Sequence, residues 1–141
     1  MAEIRPFVSI RPQRGKVQTG VAACASIDDY ENGIIKKHEN TRAEKEVDRI
    51  RHVDVCNAQT GPICLAYRAN DGIRRIVEKT KQGEPEYDFT SGDGVRHRVF
   101  VIREDADIAA IHEAFAGIDS IYIADGHHRA AYAVKVGQKR R

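Results

Sequence analysis

The residues with the clearest capacity for chemistry form the pentapeptide Asp125-Gly126-His127-His128-Arg129, called here the DGHHR turn. An apolar strand is predicted before it and a helix directly after it. The first N–H groups of such a helix have no partner within the helix and carry partial positive charge, so they suit an anion. The glycine leaves room for a phosphate, and the arginine could bind one through two parallel hydrogen bonds. Gly126, His127, His128 and Arg129 are therefore predicted to bind phosphate.

Asp125 and His128 are the predicted catalytic residues of this turn. A histidine can donate or shuttle a proton near neutral pH, and Asp125 could act as a catalytic acid or hold the Mg²⁺ that phosphoryl transfer needs. The alternative is a plain helix start, with Asp125 as its cap and both histidines in solvent. Because these five residues contribute little to packing, the functional interpretation is favoured.

Two further polar clusters stand at junctions of predicted elements. Residues 36–42 contain Glu39, a candidate general base whose flanking cations could bind a substrate carboxylate. An ordinary charged entry into a helix explains the same residues equally well. Residues 57–62 form a polar turn before an apolar strand, and this turn could hold a ligand but needs none to exist. The candidates for substrate binding in the two clusters are Asn40, Arg42, Asn57 and Thr60.

Helix and strand signals are interleaved along the chain and include hairpins, which predicts an α+β fold with a mixed sheet and flanking helices. Strands are predicted over 17–27, 34–35, 62–67, 85–89, 95–102 and 120–124, and helices over 41–57, 71–82, 104–116 and 127–137. Residues 1–16, which contain Pro6 and Pro12, are expected to form an irregular lead-in. No linker divides the sequence, so a single domain over 1–141 is expected.

Local signals set the expected boundaries. Asn32-Gly33, at the end of the polar turn 28–33, is typical of a hairpin. Thr41-Arg42-Ala43-Glu44 matches a capping box, in which the threonine caps a backbone N–H and the glutamate reaches back. Asp71 is expected to cap the helix over 71–82, and Gly83 to end it.

The composition excludes several classes of function. Among 141 residues, 23 Lys and Arg stand against 21 Asp and Glu, a net charge of +2, so bulk charge argues against binding to nucleic acid or a membrane surface. No apolar run could span a bilayer and no signal peptide is present, so a cytoplasmic protein is expected.

Cys24 and Cys64 lie in apolar surroundings typical of buried strands, and with Cys56 they are expected to be reduced, structural thiols. The isolated His97 and His112 are expected to be structural or solvated.

Four stretches of the sequence resemble one bacterial family, catalogued as domain of unknown function 1015. They are IDDYENGIIKKHENTRAEKEVDRIRHV at 27–53, NAQTGP at 57–62, YDFTSGDGVRH at 87–97 and YIADGHHRAA at 122–131. The resemblance covers about residues 17–141, and the opening MAEIRPFVSIRP is also similar. Family members are several times longer, so the chain resembles an internally deleted and C-terminally truncated member with an incomplete family core.

The DGHHR turn is also similar to the phosphate-binding turn of the ParB and sulfiredoxin superfamily, which includes CTP-binding partition proteins and free-serine kinases. The resemblance implies that Gly126 to Arg129 cradle phosphate and that Asp125 is a catalytic or metal-associated acid. It implies a small-molecule phosphotransferase that uses Mg²⁺, a nucleotide or pyrophosphate donor, and a small substrate such as L-serine. The alternatives are a nucleotide-binding regulatory or DNA-linked module of the partition type, and an inactive truncated fragment.

Overall fold

The structure is a computed structural model that describes residues 6–13, 16–39 and 46–141. Within them, the strands are β1 (Phe7–Gln13), β2 (Lys16–Ala22), β3 (Ile35–Lys36), β4 (Cys64–Ala66), β5 (Tyr87–Thr90), β6 (Arg96–Val101) and β7 (Ile121–Asp125). The helices are α1 (Ile27–Glu31), α2 (Glu46–Cys56), α3 (Asp71–Thr80), α4 (Asp105–Ala116) and α5 (His127–Arg140). None of the helices in these described residues is long and apolar enough to cross a membrane.

The chain divides into two compact units. Unit 1 comprises Met1–Cys24 and Ala69–Gly117, and unit 2 comprises Ala25–Arg68 and Ile118–Arg141. The single domain predicted over 1–141 stays a prediction.

Unit 1 contains an antiparallel four-stranded sheet in the order β2-β1-β6-β5. The predicted hairpin between β5 and β6 is confirmed, and Gly94 closes its turn with φ +79°. α3 and α4 also match the predicted helices, although the side chain that caps α3 is Asn70 rather than Asp71. The buried apolar residues of this unit are Val8, Ile73, Ile76, Val77, Phe100, Ile102 and Ile111.

The expectation of an irregular lead-in over 1–16 is wrong for β1. β1 pairs with β2 from Phe7 to Gln13 but with β6 only from Phe7 to Ile10. Pro12 therefore lies where the strand has a partner on one side only, and a proline is tolerated at such a position. Pro12 thus lies within a strand, at its one-sided end, and does not indicate an absence of structure.

Unit 2 contains a mixed three-stranded sheet in the order β3-β7-β4, which confirms the α+β class with a mixed sheet and flanking helices. β3 runs parallel to β7, and β4 runs antiparallel to it. Ile35, Ile123 and Ala130 form a buried cluster, with Tyr30, Ile63 and Leu65 packed against it. α5 contributes much of the core, because buried residues recur along most of its length. They are His127, Ala130, Ala131, Tyr132, Val134 and Val136.

The predicted polar turn and hairpin over 28–33 are wrong, because the chain forms α1 there. The Ser26 hydroxyl accepts a hydrogen bond from the Asp28 N–H at 3.1 Å and caps this helix, and Asn32 ends it. The strand predicted over 17–27 accordingly stops at Ala22. Asn32-Gly33 follows this helix, and the next strand, β3, pairs in parallel with β7 and not with the strand before it.

The expectation that Cys24 and Cys64 are buried is also wrong, since both thiols and that of Cys56 are exposed and free. Cys64 begins β4, which has a strand partner on one side only. A short apolar run can form such an edge strand as readily as a central one, and the sequence does not distinguish them. The predicted capping box at 41–44 lies outside the described residues, and α2 is described from Glu46.

Candidate functional site

Three loops meet at one edge of the sheet in unit 2. β3 and β7 are parallel, with Ile35 opposite Ile121, so both strands end at the same edge. β4 is antiparallel, with Cys64 opposite Asp125, so the loop before β4 reaches that edge as well. These loops contain the three polar clusters identified from the sequence. Residues 36–42 lie at the end of β3, the DGHHR turn lies at the end of β7, and residues 57–62 precede β4. The carboxyl ends of parallel strands are a common place for ligands in sheets with helical connections.

The DGHHR turn joins the last residue of β7, Asp125, to the first residues of α5. Gly126 has φ +96°, in the left-handed region that favours glycine, and it is the N-cap residue of α5. No side chain caps the helix, so the alternative in which Asp125 caps it does not hold. The N–H of Ala130 already bonds to the Gly126 carbonyl at 2.9 Å, so the N–H groups of residues 127–129 precede the regular helical bonds.

Arg129 lies between this turn and the 57–62 loop. Its Nη2 donates to Asp125 Oδ2, one turn earlier along the chain. A Cβ on Gly61 would lie 2.9 Å from Arg129 Cδ, and one on Gly126 would lie 3.0 Å from Arg129 Nε. Gln59 Nε2 donates to the Arg129 carbonyl at 3.4 Å. The two glycines therefore leave room for the Arg129 side chain beside the helix start, and the Gln59 amide contacts the Arg129 backbone.

A second group of polar side chains borders the same turn. His127 is only 5% exposed, and its Nδ1 lies 3.6 Å from Glu39 Oε2. The His38 ring meets the His127 ring edge-on, with centroids 4.2 Å apart. His38 and Glu39 reach this position because they directly follow β3, which pairs with the strand that leads to His127.

The structure gathers some of the predicted site residues and separates others. Asp125, Gly126, His127, Arg129 and Glu39 lie in the neighbourhood just described. His128 is exposed, with its ring 6.2 Å from that of Tyr132, and Thr60 is exposed in the 57–62 loop. The predicted substrate-binding residues Asn40 and Arg42 lie outside the described residues.

Asn57 contacts the other end of α5. Its Oδ1 accepts a hydrogen bond from Arg140 Nη1, eleven residues beyond Arg129. Asp54 binds the same region, at 2.6 Å from Lys139 Nζ and 2.8 Å from Arg140 Nε. The Lys139 and Arg140 cations hold the pKa of the Asp54 carboxyl below its ordinary value. These contacts link the C-terminal part of α2 to the C-terminal end of α5, which is the end opposite the DGHHR turn.

The exposed carboxylate within the DGHHR turn that could bind the predicted Mg²⁺ is that of Asp125, whose side chain is 74% exposed. Mg²⁺ is commonly held by one or two carboxylates together with substrate phosphates, so Asp125 fits that role when a phosphate is present. Among the described residues, the group of three His, Cys, Asp or Glu close enough to share a metal is His38, Glu39 and His127. Its two nitrogen ligands do not suit Mg²⁺.

Sequence reasoning did not single out His38, Gln59 or Gly61. All three belong to the polar clusters, but their roles depend on contacts with His127 and Arg129, which are 68 or more residues away along the chain. The proximity of His38 to His127 follows from the parallel pairing of β3 with β7. No local pattern in the sequence indicates that pairing.

The fold and the site define an α+β protein with a polar site at the carboxyl ends of two parallel strands. The chain belongs to the family described as "Protein of unknown function (DUF1015)", whose family model matches residues 7–141. The resemblance of its sequence motifs to that family is thus confirmed. No curated protein and no solved structure matches the chain significantly.

Proposed function

We propose that this protein is a small-molecule phosphotransferase that binds the phosphates of its donor at the DGHHR turn. The observation that carries the proposal is the start of α5, which has no side-chain cap and follows a left-handed glycine at the end of β7. Backbone N–H groups at such a helix start bind phosphate oxygens, and the helix dipole favours their negative charge. The similarity of the turn to that of the ParB and sulfiredoxin superfamily supports the same assignment.

Arg129 supplies the side-chain part of the phosphate site. Its guanidinium carries five N–H donors, and the contact with Asp125 Oδ2 uses Nη2. Gly61 and Gly126 lack the Cβ atoms that would crowd Arg129, so the guanidinium lies beside the helix start and the Asp125 contact holds it there. A guanidinium fixed in this way binds phosphate with little further loss of side-chain entropy.

Asp125 is the proton acceptor in the proposed reaction. The hydroxyl of the acceptor substrate passes its proton to the Asp125 carboxylate, and its oxygen forms a bond to the terminal phosphorus of the donor. The bond from that phosphorus to the bridging oxygen breaks, and the shortened donor leaves with the electron pair. This chemistry depends mainly on positioning and charge stabilisation, which the turn and Arg129 supply. His128, exposed in the same turn, is the candidate for returning a proton to the leaving group.

The donor is proposed to be a nucleotide or pyrophosphate with Mg²⁺, and the acceptor a small hydroxyl compound such as L-serine. Magnesium would neutralise phosphate charge, and Asp125 is the candidate protein ligand for it. The near-balanced charge of the chain gives no reason to add nucleic acid to the substrates.

The test is phosphoryl transfer to L-serine from ATP, ADP or pyrophosphate with Mg²⁺, followed by ³¹P NMR. A new phosphate-ester signal is expected with one of these donors. Asp125→Asn should lower turnover by about 100-fold or more, because it removes the proton acceptor. Arg129→Ala should weaken donor binding about tenfold, the loss of one hydrogen bond to a charged group.

Arg96→Ala is the matched control, because Arg96 is an exposed arginine paired with Asp88 in unit 1. It should leave turnover and donor binding unchanged. Full turnover in Asp125→Asn, or equal donor binding in Arg129→Ala and Arg96→Ala, would contradict the proposal. A donor that binds without any transfer would favour a nucleotide-binding regulatory module instead.

A further inference from the structure

Two histidines and a glutamate converge beside the DGHHR turn without forming hydrogen bonds to one another. The ligand atoms offered by His38, Glu39 and His127 all lie within 4.8 Å of one another. His127 Nδ1 lies 3.6 Å from Glu39 Oε2, which is too long for a hydrogen bond. The three side chains can therefore offer their ligand atoms to one ion.

The spacing matches that of ligands around a small metal ion. Two atoms that each lie about 2.1 Å from a tetrahedral zinc are about 3.4 Å apart. The distance between His127 Nδ1 and Glu39 Oε2 is close to that value, and His38 and Glu39 are exposed side chains that can contract onto an ion. His127 is the fixed member, because it is buried at the start of α5.

His127 presents Nδ1, the ring nitrogen beside Glu39 Oε2, as its ligand atom. Its Nε2 is buried and has no hydrogen-bond partner within the described part of the chain. Nε2 therefore stays inside the protein, and Nδ1 is the nitrogen that can reach an ion shared with His38 and Glu39. A bound cation would also balance the Glu39 carboxylate beside the imidazole.

We infer that His38, Glu39 and His127 bind one divalent transition-metal ion of the zinc class. Imidazole nitrogens favour zinc and its neighbours over magnesium, and two histidines with one carboxylate are a ligand set of zinc sites that keep an open position. The inference goes beyond the proposed phosphotransfer and does not rest on it, because it concerns a resident ion and not the donor's magnesium.

The test is titration of metal-free protein with Co²⁺, followed through the visible absorption bands that tetrahedral coordination intensifies. One equivalent of Co²⁺ should give these bands, Zn²⁺ should displace it, and excess Mg²⁺ should not. His38→Ala and Glu39→Gln each remove one ligand at an exposed position, so the fold should persist, as a thermal melt would check. Each should weaken zinc binding about 100-fold or more, the upper end of the effect of losing a residue that only supports a ligand.

Two controls separate this site from other histidines. His112→Ala changes an exposed histidine of unit 1 and should leave the titration unchanged. His52 and Cys56 form a possible competing pair, with Cys56 Sγ 3.9 Å from the His52 ring nitrogens. Cys56→Ser should therefore be titrated in parallel and should retain the bands. Bands that vanish in Cys56→Ser and survive in Glu39→Gln, or the absence of stoichiometric binding, would overturn the inference.

Discussion

Arg129 reaches Asp125 along a path that two glycines leave open, and Gly61 provides the sharper test of that path. A Cβ on Gly61 would lie 2.9 Å from Arg129 Cδ, whereas Gly61 itself has no left-handed backbone that would strain an alanine. Gly61→Ala should therefore displace the Arg129 side chain with little effect on the fold. Pyrophosphate binding, measured calorimetrically, should weaken about tenfold, as expected when one hydrogen bond to a charged group is lost.

Gly92→Ala adds the same methyl group where nothing lies within 4 Å, and its backbone is not left-handed either. It should bind pyrophosphate as the unchanged protein does, and both variants should melt at similar temperatures. Equal pyrophosphate affinities in Gly61→Ala and Gly92→Ala would mean that the position of Arg129 does not matter for binding. A loss of affinity confined to Gly61→Ala would connect the glycine to the phosphate site through Arg129.

α2 and α5 are joined by an acid-sensitive contact at Asp54. Lys139 and Arg140 hold the pKa of this carboxyl below its ordinary value, so the folded state favours its charged form. The resulting stability is present above the ordinary pKa of about 3.9 and is lost as pH falls through the lowered pKa. Asp54→Asn should therefore be less stable than the unchanged protein at pH 7, and the difference should disappear in acid. Urea denaturation at several pH values measures this.

Asp48→Asn is the control on the same helix, since Asp48 is exposed and makes no ion pair within the described residues. Its stability should follow that of the unchanged protein from pH 7 downward. High salt should also reduce the difference between Asp54→Asn and the unchanged protein, because the contact is at the surface. If the two variants behave alike across the pH range, the Asp54 contact contributes nothing measurable.

Elements with strong local signals were predictable from the sequence, and elements that depend on distant pairing were not. The strands predicted over 85–89 and 95–102 pair as β5 and β6, and the helices predicted over 71–82, 104–116 and 127–137 correspond to α3, α4 and α5. β1 was missed because prolines resemble loop signals, although Pro12 is tolerated where pairing is one-sided. α1 was missed because its three acidic residues resemble a polar turn, although they form a helix that Ser26 caps.

The same distinction applies to the candidate site. The sequence identified its polar clusters one at a time, from residue type and from position beside predicted elements. Their meeting depends on the parallel pairing of β3 with β7, which are separated by more than 80 residues. Parallel pairing leaves no turn signature in the sequence, because the strands are joined through long intervening segments. The convergence of Glu39 on His127 therefore required the structure.

At the scale of the whole molecule, each compact unit has a buried isoleucine that can be removed. Ile102 in unit 1 and Ile123 in unit 2 are both 1% exposed. Replacing either with alanine should lower the free energy of unfolding by about 2–5 kcal/mol, through lost burial and the cavity left behind. The two variants are matched in residue type and burial, so a comparison between them isolates the effect of location.

Hydrogen exchange can then resolve whether the chain is one cooperative domain, as its sequence suggests, or two. Each unit contains its own sheet and its own set of buried apolar residues, so we expect loss of protection to stay within the substituted unit. Ile123→Ala should speed exchange in β7 and α5 and leave β1 and β6 protected, and Ile102→Ala should do the reverse. Equal loss of protection in both units, from either variant, would instead establish a single folding unit. In that case every substitution at the DGHHR turn would need a stability control measured in unit 1 as well.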